Sequence, residues 1–107
     1  DDIDPIVLKK HIQQLATLGL VSRISEIDVL GDKPDFQAEQ YANVLKVCLD
    51  EPSCTSFGAW GITDLYGSTA LSDRYPVMFG DSLLWDSNYV PKLAYSRLQE
   101  ILNDPAY

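Results

Sequence analysis

The sequence has little positive charge and almost no histidine. Its 107 residues include 8 Lys and Arg against 16 Asp and Glu, which gives a formal net charge of −8 at pH 7. Because an acidic surface repels phosphate backbones, we expect no nucleic-acid partner. His11 is the only histidine and the chain has two cysteines, which are too few to supply the four cysteine or histidine ligands of a structural zinc site. We therefore predict no metal and no cofactor.

Long apolar runs are also lacking. The longest is far shorter than the roughly 20 residues that span a bilayer, so we expect no membrane partner. The chain does not begin with the basic segment of a signal peptide. A secreted protein from which the signal peptide has been removed stays an open alternative. Hydrophobic residues make up 46% of the sequence, and this composition with this length predicts one small globular domain.

Capping and turn residues divide the chain into alternating helices and strands. Asp4-Pro5 predicts a helix start and Gly19 a helix end. The apolar stripe between them is formed by Ile6, Val7, Ile12, Leu15 and Leu18. Residues 20–30 and 55–62 predict strands, residues 36–49 a helix, and Pro91 the start of a last helix that Pro105 ends. Residues 31–35 and 63–82 read as loops, and the second is too long for an ordinary connection.

Helices that alternate with strands imply parallel strands joined by crossovers. A parallel sheet is normally buried on both faces, and a sheet of two such strands leaves both outer edges open. We therefore interpret the chain as a piece of a larger α/β protein.

Two carboxylates lie near the end of the first predicted strand. Side chains at i and i+2 of a strand point the same way, so we expect Glu26 and Asp28 to share a face. In a closed barrel, catalytic groups lie at the carboxyl ends of the strands. The alternative is a solvated strand end that carries ordinary surface acids.

The second predicted strand ends in Trp60-Gly61-Ile62-Thr63-Asp64. Trp60 could offer a flat ring to a sugar, or could be a core aromatic residue. Asp64 could face a ligand, or could cap the next turn.

The two cysteines, Cys48 and Cys54, enclose a short proline-containing loop. A disulfide would indicate an oxidising compartment. The alternative is two buried thiols.

Five blocks of the sequence together resemble the xylanases of glycoside hydrolase family 10. Residues 24–29 (ISEIDV) resemble the segment around the family nucleophile, usually Ile-Thr-Glu-Leu-Asp, and the spacing of the two cysteines matches the family's common disulfide loop. Residues 60–64 (WGITD) resemble its Trp-Gly-x-Thr-Asp strand. Residues 83–86 (LLWD) and 89–95 (YVPKLAY) resemble its closing Leu-Leu-Phe-Asp and Tyr-x-Pro-Lys-Pro-Ala-Tyr. The blocks occur in family order across nearly the whole chain.

The resemblance implies a fold and a place within it. Residues 1–107 would form the C-terminal part of a family 10 catalytic domain, a (β/α)8 TIM barrel. The elements would be helix 6, strand 7, helix 7, strand 8, a long loop and helix 8. The protein would be secreted, with Cys48 and Cys54 in a disulfide.

The resemblance also implies site residues. Glu26 would be the nucleophile of retaining hydrolysis of β-1,4-xylosidic bonds in xylan or xylo-oligosaccharides. Asp28 would orient a histidine contributed by an earlier strand, and Trp60 would line the glycone subsites. Asp64 and Tyr66 are further candidates for substrate binding.

The chain departs from the family pattern in two ways. The second tryptophan that usually follows the Asp is absent, since the sequence continues Leu-Tyr-Gly-Ser-Thr over residues 65–69, and Tyr66 is a weak replacement. The acid/base normally lies in an Asn-Glu pair on the fourth strand, and no such dipeptide occurs here. We therefore expect the chain to be incomplete as an enzyme by itself, with a complementing N-terminal barrel segment or self-association covering its open edges.

Two other functions stay open beside the enzyme segment. One is a catalytically inactive barrel fragment that associates with itself. The other is a non-catalytic carbohydrate-binding module, which the alternation of helices and strands disfavours because such modules are mostly β-sandwiches.

Overall fold

A computed structural model describes residues 2–66 and 81–107 of the chain. The part of the predicted long loop that covers residues 67–80 lies outside the described residues. The described elements follow the predicted order: α1 (Pro5–Thr17), β1 (Ser22–Ile27), α2 (Pro34–Asp50), β2 (Cys54–Ala59), a 3-10 helix (Asp64–Tyr66) and α3 (Leu93–Leu102).

The limits of α1 follow from its capping residues. The Asp4 carboxylate accepts hydrogen bonds from the backbone N–H groups of Ile6 and Val7, and Pro5 takes the first helical position. Gly19 follows the helix with a φ of +75°, a conformation that favours glycine. The predicted start and end of this helix are confirmed.

The apolar stripe of α1 is only partly buried. Ile12 packs inside, whereas Ile6 is 77% exposed and Leu18 is 73% exposed. Among the described residues, nothing covers its outer part, so a face with the composition of a buried surface lies open to water.

The two strands pair in parallel, as predicted. Ser22 lies opposite Cys54 and Ile27 lies opposite Ala59, with an irregular register between these pairs. Both strands are shorter than the sequence predicted, because regular pairing stops at Ile27 and Ala59. One further hydrogen bond, from the Trp60 N–H to the Ile27 carbonyl at 2.9 Å, continues the contact beyond the strands.

Helix α2 packs against β2 and against α3, and the apolar side chains of both helices share one core with Ile27 of β1. α2 begins at Pro34 and not in the predicted region of residue 36, because proline suits the first helical turn. α3 begins at Leu93 and not at Pro91, since Pro91 forms an isolated bridge with Trp85. The buried core consists of Ile27, Val29, Ala38, Tyr41, Ala42, Val44, Leu45, Ala94, Leu98 and Ile101.

Cys48 and Cys54 form a disulfide that joins the end of α2 to the start of β2. The disulfide predicted from the resemblance is thus present in the structure, and the alternative of two buried thiols is wrong. The bond fixes the connection between a core helix and the second strand.

Within the described ranges, no helix is both long and apolar enough to cross a bilayer. The longest described helix, α2, has 17 residues.

We expect the isolated 107-residue chain to associate rather than to persist as a stable monomer. In the described part of the chain each strand is paired along one edge only, and unpaired strand edges recruit further chains. The exposed Ile6 and Leu18 add apolar surface. Sedimentation velocity should give a mass that rises with concentration. A concentration-independent monomer with a cooperative thermal transition would contradict this expectation.

Candidate active site

Glu26 and Asp28 lie at the carboxyl end of β1 and project to the same side. Along this segment burial alternates: Glu26 and Asp28 are exposed, whereas Ile27 and Val29 are buried in the core. Because neighbouring side chains of an extended segment point in opposite directions, the two carboxylates share the face opposite to that of Ile27 and Val29. This arrangement agrees with the shared face expected from the sequence.

Trp60 lies at the same edge of the sheet, directly after β2. Its backbone N–H donates to the Ile27 carbonyl at 2.9 Å, so it is attached to the residue between the two carboxylates. Its side chain is 52% exposed. Within the described part of the chain, the Trp60 ring is therefore accessible at the strand end, as the interpretation as a sugar-binding surface requires.

A hollow of about 360 Å³ adjoins the two carboxylates. Its lining combines the end of β1 with apolar residues of α1, α2 and the segment ahead of α1. The residues that line it are Ile3, Leu8, Ile24, Ser25, Glu26, Ile27, Asp28 and Val44.

Asp64 is buried, contrary to our prediction that it contacts substrate. Its side chain is 1% exposed. One carboxylate oxygen accepts from the Leu83 N–H at 2.8 Å, and the other accepts from Lys92 Nζ at 3.0 Å. A carboxylate occupied in this way is a structural anchor for residue 83, so the sequence-based assignment to the substrate surface needs correction.

Tyr66 is 77% exposed and borders a different hollow from the one beside Glu26. That hollow measures about 320 Å³ and is also lined by Gly61, Ile62, Thr63 and Tyr89. The structure thus places Glu26, Asp28 and Trp60 at one edge of the sheet, leaves Tyr66 beside a different hollow and buries Asp64.

Three residues near the site had no role in the sequence analysis. Gln37 and Tyr41 are fully buried on α2, and Lys92 lies beside Asp64. In that analysis Tyr41 lay only within the predicted helix of residues 36–49, and Lys92 only within the block of residues 89–95. One signal in the sequence could have indicated Gln37 and Tyr41: a glutamine stands four residues before a tyrosine on the core-facing side of the helix. Buried polar side chains require hydrogen-bond partners.

The environment of Tyr41 keeps its hydroxyl group neutral. Burial raises the pKa of Tyr41 well above its ordinary value, and the negative charges of Asp28 and Asp64 raise it further. The phenol therefore remains a hydrogen-bond donor throughout the range in which proteins operate.

Residues 2–66 and 81–107 contain no group of three or more His, Cys, Asp or Glu side chains arranged to hold a metal ion. The groups that this sheet edge offers are two exposed carboxylates and an exposed aromatic ring.

Comparison with known proteins identifies the relatives of this chain. The model of the family described as Glycosyl hydrolase family 10 matches residues 2–101. Endo-1,4-beta-xylanase B of Thermotoga neapolitana is 32% identical over 103 residues, which cover 90% of this chain and 29% of that protein. Endo-1,4-beta-xylanase B of Humicola insolens is 33% identical over 104 residues, covering 92% of this chain and 28% of that protein.

A solved structure shows the same likeness in three dimensions. Xylanase 10B from Thermotoga petrophila RKU-1, crystallised in complex with xylobiose, superposes with a TM-score of 0.81 at 30% sequence identity. The match covers 94% of this chain and 32% of that one. The chain thus spans less than a third of the length of these relatives and corresponds to their C-terminal portion.

Removal of the Asp64 carboxylate should destabilise the fold. Asp64→Ala leaves Lys92, whose side chain is 17% exposed, without its ionic partner, and should lower the free energy of unfolding by about 3 kcal/mol. As a control, Glu100→Ala breaks the exposed Arg97–Glu100 pair and should change that free energy by less than about 1 kcal/mol. Equal effects in urea titrations of the two variants would show that Asp64 is not an anchor.

Proposed function

The chain belongs to glycosyl hydrolase family 10, and on that premise we propose that it supplies the nucleophile of a retaining endo-1,4-β-xylanase. The substrate is xylan or xylo-oligosaccharides, and the reaction is hydrolysis of internal β-1,4-xylosidic bonds. Glu26 is the nucleophile, and Trp60 forms part of the glycone-side sugar surface.

The likeness to solved xylanases implies a TIM barrel. Within it, α1 corresponds to helix 6, β1 to strand 7, α2 to helix 7, β2 to strand 8 and α3 to helix 8. Residues 1–107 then form the C-terminal part of the catalytic domain. The parallel pairing of β1 with β2 and the packing of α2 against β2 and α3 support this assignment.

The observation that carries the proposal is the junction at the carboxyl end of the sheet. Glu26 and Asp28 project from one strand end, and the accessible Trp60 is bonded to the residue between them. Carboxyl ends of barrel strands are where such enzymes place their reacting groups. A carboxylate beside an exposed indole ring suits a neutral, ring-shaped substrate, whereas the net charge of −8 disfavours an anionic one.

The mechanism assigns each group a separate part. The Glu26 carboxylate attacks the anomeric carbon and forms a glycosyl-enzyme, while the leaving oxygen takes a proton from a second carboxyl about 5–5.5 Å away. That acid/base comes from another strand of the barrel. Water, activated by the same acid/base, then releases the sugar. Asp28 acts on the site by orienting a histidine from an earlier strand.

Trp60 supports the glycone end of the substrate without the family's usual second tryptophan. Gly67, Ser68 and Thr69 replace that part of the motif and lack an aromatic ring. Tyr66, which is exposed close by, is the candidate for an added contact. We therefore expect weaker binding on the glycone side than a site with two tryptophans provides.

Catalysis needs the other strands. The completed barrel is this chain together with the segment that supplies those strands, taken from its own polypeptide or, as a chimera, from the Thermotoga neapolitana relative. The chain by itself should not hydrolyse xylan, since one carboxylate cannot act as nucleophile and as acid in the same step. The disulfide supports a secreted protein.

Glu26→Gln in the completed barrel should lower kcat by roughly 10⁵-fold, because it removes the nucleophile and preserves the shape of the side chain. Asp28→Asn should lower kcat by about 10–100-fold, since it disturbs only orientation. Glu39→Gln makes the same chemical change on an exposed position of α2 and should leave kcat unchanged. Sodium azide should restore turnover to Glu26→Gly and give a product of inverted configuration, and comparable kcat values for all the carboxyl variants would refute the proposal.

Trp60→Ala in the completed barrel should lower kcat/KM on short xylo-oligosaccharides by about tenfold, because a sugar loses its stacking surface. Trp60→Phe should retain part of the activity. Tyr107→Ala removes an exposed ring at the C-terminal residue and serves as the control. An unchanged kcat/KM for Trp60→Ala would mean that this ring serves packing alone.

A further inference from the structure

Among residues 2–66 and 81–107, no regular strand pairing continues beyond the end of β1. Regular pairing stops at Ile27, so the sheet does not set the direction of the segment that carries Asp28 and leads to Gly31. Other contacts must do so. The Val29 N–H donates to the Ser82 carbonyl at 3.2 Å, and a Cβ at Gly31 would collide with the Asp81 carbonyl oxygen. Residues 81–83 therefore press directly against the end of the strand.

Two buried side chains of α2 connect the end of β1 to residues 81–83. Gln37 Nε2 donates to the Val29 carbonyl and to the Asp81 carbonyl, both at 2.8 Å. The Tyr41 hydroxyl donates to the Ser82 carbonyl at 2.6 Å and lies 3.4 Å from the Ile27 carbonyl. Gln37 and Tyr41 are one helical turn apart, so a rigid helix holds both ends of the contact.

Asp64 and Lys92 also hold residues 81–83. Lys92 Nζ donates to the Asp81 carbonyl at 2.7 Å, and Asp64 accepts from the Leu83 N–H at 2.8 Å. Leu83 is fully buried. Residues 81–83 are thus fixed between α2 on one side and the Asp64–Lys92 pair on the other.

We propose that Tyr41 and Gln37 are positioning residues for catalysis: by tying residues 81–83 to the carbonyl groups on either side of Asp28, they fix the directions of Glu26 and Asp28. This inference rests on the proposed function of Glu26. Neither side chain reaches the exposed face, so both act through the backbone that carries the carboxylates.

Small displacements at this place have large catalytic consequences. A nucleophile must meet the anomeric carbon at close range and in line with the breaking bond, and a 1 Å displacement can reduce a rate by about 10²-fold. Loss of one attachment would let the unpaired strand end move while the core beneath it stays packed. The expected defect therefore lies in kcat rather than in KM, because substrate binding depends largely on stacking elsewhere.

Tyr41→Phe in the completed barrel removes the hydroxyl and keeps the ring in the core. We expect kcat to fall about tenfold with KM unchanged within about twofold. Hydrogen–deuterium exchange should also become faster at the Val29 amide, which donates to Ser82. Gln37→Met, which keeps the length of the side chain and removes its donor, provides a second variant with the same expected signature.

Ile101→Val is the matched control for stability. Ile101 is buried in the same core on α3 and has no part in the attachments of residues 81–83. It should lower Tm without changing kcat or the exchange of the Val29 amide. The double variant of Tyr41 and Gln37 should lose less activity than the product of the two single losses, because both side chains hold one contact.

A kcat for Tyr41→Phe and Gln37→Met no lower than that of Ile101→Val would overturn the inference. Unchanged exchange at the Val29 amide in both variants would overturn it as well. These results differ from a failure of the proposed function, which would appear as full activity in Glu26→Gln with the Val29 exchange still dependent on Tyr41.

Discussion

The attachment of residues 81–83 to the end of β1 is the constraint on which the site depends. Gln37 and Tyr41 donate to backbone carbonyls of both segments, and Gly31 lets the two backbones approach without a side chain between them. These polar groups are buried, where an unsatisfied donor or acceptor costs about 1–3 kcal/mol. A conformation that breaks one of these hydrogen bonds therefore costs free energy. For this reason the end of β1 keeps a single geometry.

This constraint separates the roles of the charged residues. Asp64 and Lys92 face inward and hold the returning chain, whereas Glu26 and Asp28 face outward from the strand end. The inward pair is matched in charge and needs no ligand. The outward carboxylates keep access to solvent at the sheet edge that carries Trp60, so under the proposed function chemistry and stability rest on different acids within one short region.

The sequence predicted the order of elements, the capping of α1 by Asp4, the parallel strands and the disulfide, because caps, periodicity and family spacing are local signals. It predicted the common face of Glu26 and Asp28 from strand alternation. It misassigned Asp64, since burial depends on Lys92 and Leu83, which lie about 20–30 residues further along the chain. The bonds of Gln37 and Tyr41 were beyond prediction for the same reason: their partners are backbone carbonyls, which every residue carries.

The most direct measurement is covalent trapping of the intermediate. The completed barrel is incubated with a 2-fluoro-xylobioside carrying a good leaving group, then digested and analysed by mass spectrometry. The account predicts that the label lies on Glu26, in the peptide that contains the end of β1. A label on any other residue would contradict the assignment of the nucleophile on which the account rests.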